Sequence, residues 1–458
     1  MTTIVIVLVI YFAAMVGIGW YGRKRSRNFE TYLNMGRSGG IILLMGGAIG
    51  GQIGNGFVVG GAAEGAAVGL AGCAYGLACA LSLVITGIFL NDFIYKGGYM
   101  SMADYTVQRY NNVVPGTIYD LSTALSSIGL CAGQLMAGKA LFEALGLNGT
   151  VGVIVIALVV FLYSQLSGLW GAFATSVVQT VIIAIGLIGT TAVLLAKGAV
   201  GEMQTAISSG ALGAASLNFS GMSAAGFAGM MLPLILGMVT DQPSYQRINS
   251  AKSAKASKWA CFLSALVMVP LALMPAFVGS YGSFTYGAAG SDAFFVVILN
   301  ELPTIVSALI IAAVLAAVMS TIDCGVITMS TCLTRDIWQG ALKKTPSEAQ
   351  LKKITLGINI AFIGISAILA LVSSSILNVL NNSYAFLAAA CFVPFVGGVA
   401  WKKGNAKGAV AASLVGVLTV LVSWTGVSFP IPTIFPIIPS AVAYIIVSLA
   451  TQKEKVAA

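Results

Sequence analysis

The chain has 458 residues, of which 58% are hydrophobic and only 8% charged, with a formal net charge of +9. So few charges exclude a soluble domain of this size and specify an all-α polytopic membrane protein. The absence of histidine excludes His-ligated metals, His-based triads and imidazole proton relays, and the seven cysteines (73, 79, 131, 261, 324, 332 and 391) read as small buried packing residues without metal-ligand spacing.

Hydropathy predicts about thirteen transmembrane helices, at 3–21, 40–62, 66–91, 116–146, 150–166, 170–196, 222–243, 257–280, 303–333, 354–376, 382–400, 407–426 and 432–450. The first span has no basic residue before it and RKRSR after it, so it reads as a membrane helix with its N-terminus outside and not as a cleavable signal peptide. From that start, 21 of the 23 basic residues fall in cytoplasmic loops, including Arg25, Arg27, Arg247, Lys453 and Lys455, and only Lys139 and Lys197 face outside. This asymmetry supports the helix count and a cytoplasmic C-terminus. It also explains the positive charge as topology, with no nucleic-acid partner.

The second span reads GGAIGGQIGNGFVVGG, with six glycines between Gly46 and Gly56 around Gln52 and Asn55. Each glycine costs a helix about 1 kcal/mol relative to alanine, so this tract is expected to unwind within the membrane. Ser101–Tyr110 is too polar to cross and predicts a short interfacial helix. The fourth span holds Asp120, and its Lys139 and Glu143 are spaced i, i+4 to satisfy each other near the outer surface. The seventh span, MMLPLILGMVTDQP, is expected to break in its middle at Pro233 and Gly237. Spans two and seven open two successive groups of five, the pattern of an inverted-repeat transporter with its site at the midplane. Further along, Asp292–Leu302 predicts an outer half-helix or lid, residues 335–353 the most charged cytoplasmic loop, and Gly404–Gly408 a tight turn. Pro430, Pro432, Pro436 and Pro439 predict an irregular start to the last span. The expected units are 1–39, a leading helix and cytoplasmic loop; 40–198 and 199–401, the two repeats; and 402–458, two trailing helices and the C-terminus.

The chemistry concentrates in LAAVMSTIDCG, Leu315–Gly325. Ala317, Ser320, Thr321 and Cys324 share one helical face, and the adjacent hydroxyls offer neutral oxygens suited to Na⁺ where water is excluded. The bland alternative is that both hydroxyls bond back to their own helix carbonyls. Asp323 costs about 2.5–3.5 kcal/mol to insert at that depth, so it should face a cavity, a cation or a partner. Arg247 is expected to anchor to headgroups or pair with an acid. No arginine lies at the midplane to clamp a carboxylate, which disfavours dianionic solutes, while Asp323 and Glu64 favour zwitterions or cations. An enzyme is disfavoured by the lack of His, of a phosphate-cradling glycine motif and of an ordered acid/base set. A channel is disfavoured by the lack of a repeated filter signature.

LAAVMST followed by STCLTRDIW, together with DQPSYQRINSAKS, YSQLSGLWGAFATSVVQ (with Ser167 where a glycine is more usual) and WKKGNAKGA, resembles the sodium:solute symporter family, which contains sodium-coupled proline, pantothenate, sialic acid and glucose carriers. The resemblance covers nearly the full length. It implies the leucine-transporter-type fold: a leading helix, a five-plus-five inverted repeat with broken first and sixth core helices, and two trailing helices. It places a Na⁺ site on the carbonyls of Gly50, Ile53 and Ala317 and the hydroxyls of Ser320 and Thr321. The family's frequent acid in the fifth core helix is here Ser176, while Asp323 stands where serine is common. Asp323, Ser176 and Cys324 are therefore the expected second cation or proton site, against a structural pairing of Asp323. The expected substrate cavity is lined by Gln52, Asn55, Tyr75, Asp241, Gln242 and Tyr245, with Tyr75 as an ordinary interfacial aromatic or a gate. The function implied is Na⁺-coupled symport of a small organic solute by alternating access; the alternative is a proton-coupled symporter of the same fold using Asp323. Na⁺ is the expected coupling ion with no organic cofactor, and the expected setting is the lipid bilayer of a bacterial inner membrane, with a monomer sufficient for function.

Overall fold

The computed structural model describes residues 2–24, 28–427, 429 and 434–452, and the described residues form helices joined by short connections, with no strand among them. Arg25, Arg27, Pro430, Pro432, Lys453 and Lys455 lie outside the described residues, as does the side chain of Ser167. In chain order, α1 (Thr2–Gly22) and α2 (Phe29–Asn34) precede α3 (Ile41–Gln52). A π-helical turn, Gly56–Gly60, leads into α4 (Gly61–Val68), and then come α5 (Ala74–Ile85) and α6 (Asn91–Gly97). The polar Ser101–Tyr110 segment forms α7 (Met102–Tyr110), whose first turn is closed by reciprocal bonds between Ser101 and Asp104.

The chain continues through α8 (Val113–Ala144) and α9 (Gly149–Ala196). Within α9 the backbone leaves the helical region at Gly168 (φ 57°, ψ −159°), a conformation closed to side-chain-bearing residues, and this glycine separates the predicted fifth and sixth spans. After α10 (Ala199–Ser208) come α11 (Ala224–Val239) and α12 (Gln242–Asn249), which meet at 46°. The remaining helices are α13 (Ala254–Tyr286), α14 (Asp292–Glu301), α15 (Thr304–Met329), α16 (Glu348–Val372), α17 (Ile376–Ala400), α18 (Ala406–Trp424) and α19 (Ile437–Ala450).

Three sequence expectations are corrected here. The seventh span does not break at Pro233 and Gly237; α11 runs through both, and the break falls at Thr240–Asp241. Pro243 supplies the reason: at the second position of a new helix its missing N–H and its ring cost nothing, whereas a continuous helix would set the ring against the Val239 carbonyl. Gly237 instead admits the ring of Tyr384. The stretch after Asp323 is not a loop from residue 335, because α15 continues as a π-helix over Ser330–Ala341. Its charged end is held by a forked ion pair from Arg335 to Asp104 on α7, 3.1 Å at each arm. Lys139 and Glu143 are not within ion-pair distance; both side chains press against Gly149 instead. On the expected lid, α14, Glu301 takes bonds from Lys197 and Tyr286.

Among the described residues, eight helices are long and apolar enough to cross a membrane, nine if the bent α11/α12 pair is one span; Ile6–Gly22, Ile41–Gln52, Gly149–Leu162 and Ile437–Ala450 are shorter apolar helices. Large aliphatic side chains such as Ile154, Leu158 and Leu162, or Leu414, Leu418 and Leu421, stand exposed at helical spacing, which is the surface expected toward lipid. All seven cysteines are buried and free. At the centre, α15 is enclosed by α9, α8, α3 and α1, and every residue from Leu315 to Met319 is fully buried. The start of α3 and the end of α12 are tied by a parallel bridge, Gly39 N–H to the Ser250 carbonyl and Lys252 N–H to the Gly39 carbonyl, 2.9 Å each. Both broken segments are thereby registered against each other.

Candidate functional site

The glycine tract is not one helix. α3 stops at Gln52, Ile53 adopts φ −79° and ψ 73°, and regular winding resumes only around Asn55. A helix end leaves its last carbonyls without intrahelical donors. The Gly50 carbonyl is met from α15 by Ser320 Oγ at 2.6 Å and Thr321 Oγ1 at 3.4 Å. The same hydroxyls lie 3.0 and 3.2 Å from the Ala317 carbonyl. Back-bonding along the helix and reach across to α3 are therefore both present, and each hydroxyl proton is shared between two acceptors. Two carbonyl and two hydroxyl oxygens thus converge without a carboxylate among them, a donor set matched to a hard monovalent cation. Ser320 and Thr321 make no hydrogen bond to Ile53 among the described residues, and the Ile53 N–H bonds to the Ile49 carbonyl. Close approach explains the glycines: a Cβ on Gly54 would lie 2.7 Å from Thr321 Oγ1, and one on Gly50 would lie 2.6 Å from Ser176 Cβ.

Beside these oxygens lies an internal cavity of about 40 Å³, bounded by the end of α3, the α11/α12 break, α8, α15 and α17. Gln52, Asp241, Arg247, Thr321, Cys324 and Tyr384 are on its wall. Of the predicted cavity residues, only Gln52 and Asp241 are there. Asn55 reaches α8, its backbone N–H bonding Gln134 Oε1 at 2.7 Å and its Nδ2 bonding the Gly133 carbonyl at 2.6 Å, while its buried Oδ1 has no hydrogen-bond partner among the described residues. Gln242 is turned to the Met100 carbonyl at 2.9 Å, and Tyr245 is buried against Phe395. Tyr75 is neither interfacial nor on the cavity wall; it is 4% exposed, packed on Gly56, with its hydroxyl toward Tyr384.

Arg247 is the largest correction. It anchors to no surface: it is 3% exposed, on the cavity wall, and donates one bond to Ser244 Oγ at 3.0 Å. Counting it among loop charges obscured this, although its place five residues after the polar break at Asp241–Gln242 was the available signal. Tyr384, contributed by an otherwise unremarkable apolar helix, had no sequence signal.

Of the three residues expected to form a second cation or proton site, Asp323 and Cys324 are neighbours on α15 and Ser176 is on α9. Cys324 lines the cavity and touches Gly51, while Asp323, 1% exposed, is off the cavity wall and close enough to Tyr11 of α1 and Tyr32 of α2 for its charge to act on their hydroxyls. Ser176 bonds back to the Ala172 carbonyl at 2.7 Å. A separate open crevice of about 570 Å³ between α7, α8 and the end of α15 is lined by Asp104, Asp120, Arg335 and Asp336, none of them among the predicted site residues.

Comparison with known proteins gives this geometry its context. The model of the sodium:solute symporter family matches residues 32–416. The high-affinity choline transporter 1 of Torpedo marmorata is 26% identical over 354 residues, covering 74% of this chain and 60% of the transporter. Its Homo sapiens counterpart is 25% identical, with 61% of that transporter covered, so the chain spans about three-fifths of the length of these relatives. The sodium/proline symporter of Escherichia coli (strain K12) is 24% identical over 463 residues, covering 94% of this chain and 90% of that one. Among solved structures, the substrate-bound, outward-open state of a Na⁺-coupled sialic acid symporter superposes with a TM-score of 0.82 over 98% of both chains at 21% identity, which shows the same fold. A nucleobase-cation-symport-1 family transporter in a closed conformation aligns with a TM-score of 0.57 at 13% identity. Matched over most of its length and carrying this fold, the chain belongs to the sodium:solute symporter family and is an integral membrane protein.

Proposed function

We propose that this protein is a secondary active transporter in which Na⁺ moving inward drives a small organic solute by alternating access. The observation that carries this reading is the convergence of the Gly50 and Ala317 carbonyls with the Ser320 and Thr321 hydroxyls where α3 comes undone. Na⁺ held by these oxygens links α3 to α15. If the linked arrangement is the outward-open one, the ion raises solute affinity, and the solute raises Na⁺ affinity by the same factor. The cavity of about 40 Å³ has room for roughly three waters, so a solute enters only as its walls move apart. The two repeats, 40–198 and 199–401, are the bodies that rock against each other, each opening with an interrupted helix. The orientation follows from the basic loops, N-terminus outside and C-terminus in the cytoplasm, with thirteen spans and a monomer as the working unit. Relatives named for choline, proline and sialic acid support an organic solute of modest size.

The test is uptake into proteoliposomes at fixed pH, with inward Na⁺ replaced by K⁺ or N-methyl-D-glucamine. Accumulation that requires Na⁺ supports the reading. Accumulation driven by an inward proton gradient without Na⁺ overturns it in favour of coupling through Asp323.

A further inference from the structure

We propose that the solute is a zwitterion, its carboxylate taken by the Arg247 guanidinium and its cationic nitrogen by the Asp241 carboxylate across the same cavity. The inference rests on the transport reading above and names the class of solute. Arg247 is 97% removed from solvent, on the complement of its 3% exposure, yet of its donors Nη2 reaches Ser244 Oγ while Nε has no hydrogen-bond partner among the described residues. No ion pair within 4.0 Å joins it to an acid among the described residues. A guanidinium cannot shed its charge, so a buried and incompletely bonded one is stabilised by an anion presented to its free edge.

The neighbouring pole has the opposite sign. Asp241, at the α11/α12 break, lines the same cavity and feels the charge of Arg247 without touching it. The two groups are therefore not paired with each other, and both border the cavity. A neutral sugar engages neither as a charge. A simple cation meets Asp241 but is repelled by Arg247, and a simple anion meets the reverse. A solute that carries both charges a few atoms apart pairs each pole, and the planar fork of Arg247 suits a carboxylate in particular. Gln52 and Tyr384 complete the wall with neutral polar groups.

The experiment uses the purified full chain and reads thermal unfolding midpoints in NaCl and in KCl. The probes are the twenty L-amino acids and glycine betaine as zwitterions, the amino-acid amides as cations, the N-acetyl amino acids as anions, and D-galactose as a neutral solute. The expected result is that at least one zwitterion raises the midpoint in NaCl, while its amide and N-acetyl forms fail to do so at tenfold higher concentration. Arg247→Lys, which keeps the charge but loses the fork, is expected to weaken that zwitterion at least tenfold while leaving stabilisation by Na⁺ alone intact. Should Arg247→Lys fail to fold, the matched-analogue arm decides by itself. A shift from galactose, or from an amide or N-acetyl form equal to that of its parent, overturns the inference. So does the absence of a shift from every zwitterion, or an unchanged titration in folded Arg247→Lys. Loss of stabilisation by Na⁺ alone in the unaltered protein would instead overturn the transport reading, so the two failures are distinguishable.

Discussion

Replacing Thr321 by valine swaps one hydroxyl for a methyl at nearly constant shape, and the structure sets its effect at two very different scales. The Thr321 hydroxyl lies 3.4 Å from the Gly50 carbonyl and 3.2 Å from the Ala317 carbonyl, near the outer limit of hydrogen bonding. The Gly50 carbonyl keeps Ser320 at 2.6 Å in the variant. In KCl the substitution should therefore cost only about 0.5 kcal/mol of stability, the low end for a hydrogen bond. In NaCl the lost oxygen would have faced a full positive charge, for which about 1.5–3 kcal/mol is appropriate. That converts to a roughly 10- to 150-fold weaker apparent Na⁺ affinity. The assay is a titration of thermal stability against Na⁺ at constant ionic strength, with uptake measured in parallel. A Thr321→Val protein whose Na⁺ midpoint stays within about threefold of the unaltered chain would refute the assignment of Thr321 to the ion site.

The glycine tract gives an internally controlled comparison. Gly54→Ala puts a Cβ 2.7 Å from Thr321 Oγ1 and should cost about 1–3 kcal/mol by overpacking and abolish Na⁺-dependent uptake, whereas Gly51→Ala meets only Cys324 Sγ at 3.4 Å and should fold and transport. Arg109 bonds the carbonyls of Gly398, Trp401 and Lys402 at the end of α17, so Arg109→Ala should lower stability by about 1–3 kcal/mol in a thermal melt, with Arg109→Lys recovering only part. Bonds from Lys197 and Tyr286 hold the Glu301 carboxyl below its ordinary value of 4.5. A depressed acid stabilises the fold above the unfolded pKa and loses that contribution as pH falls through the folded one. The unaltered protein should therefore melt above Glu301→Gln at pH 7 by a margin that is flat down to the ordinary glutamate range and closes below it; a margin that grows on acidification would show that the contact does not stabilise the ionised acid.

Composition and periodicity alone determined that this chain is a helical membrane protein, because a bilayer leaves the backbone no other way to satisfy itself and charges must stay at its edges. They also determined that the second span would come undone, since its glycines weaken the helix that ends at Gln52, and that Ser320 and Thr321 would share a face with Ala317, since helical geometry is local. Tertiary structure decided what local rules do not reach. Whether Ser320 reached Gly50 depended on two segments 270 positions apart being packed together. Pro233 and Gly237 looked like breakers, yet the break went to Thr240–Asp241, where Pro243 sits in the first turn of the next helix without cost. The amide nitrogens of Asn55 and Gln242 bond backbone carbonyls of distant segments, which no pattern along the chain records. Arg247 looked like a loop charge because charge counting knows only sequence position; its burial follows from the way α12 is pinned to the start of α3 by the Gly39 bridge.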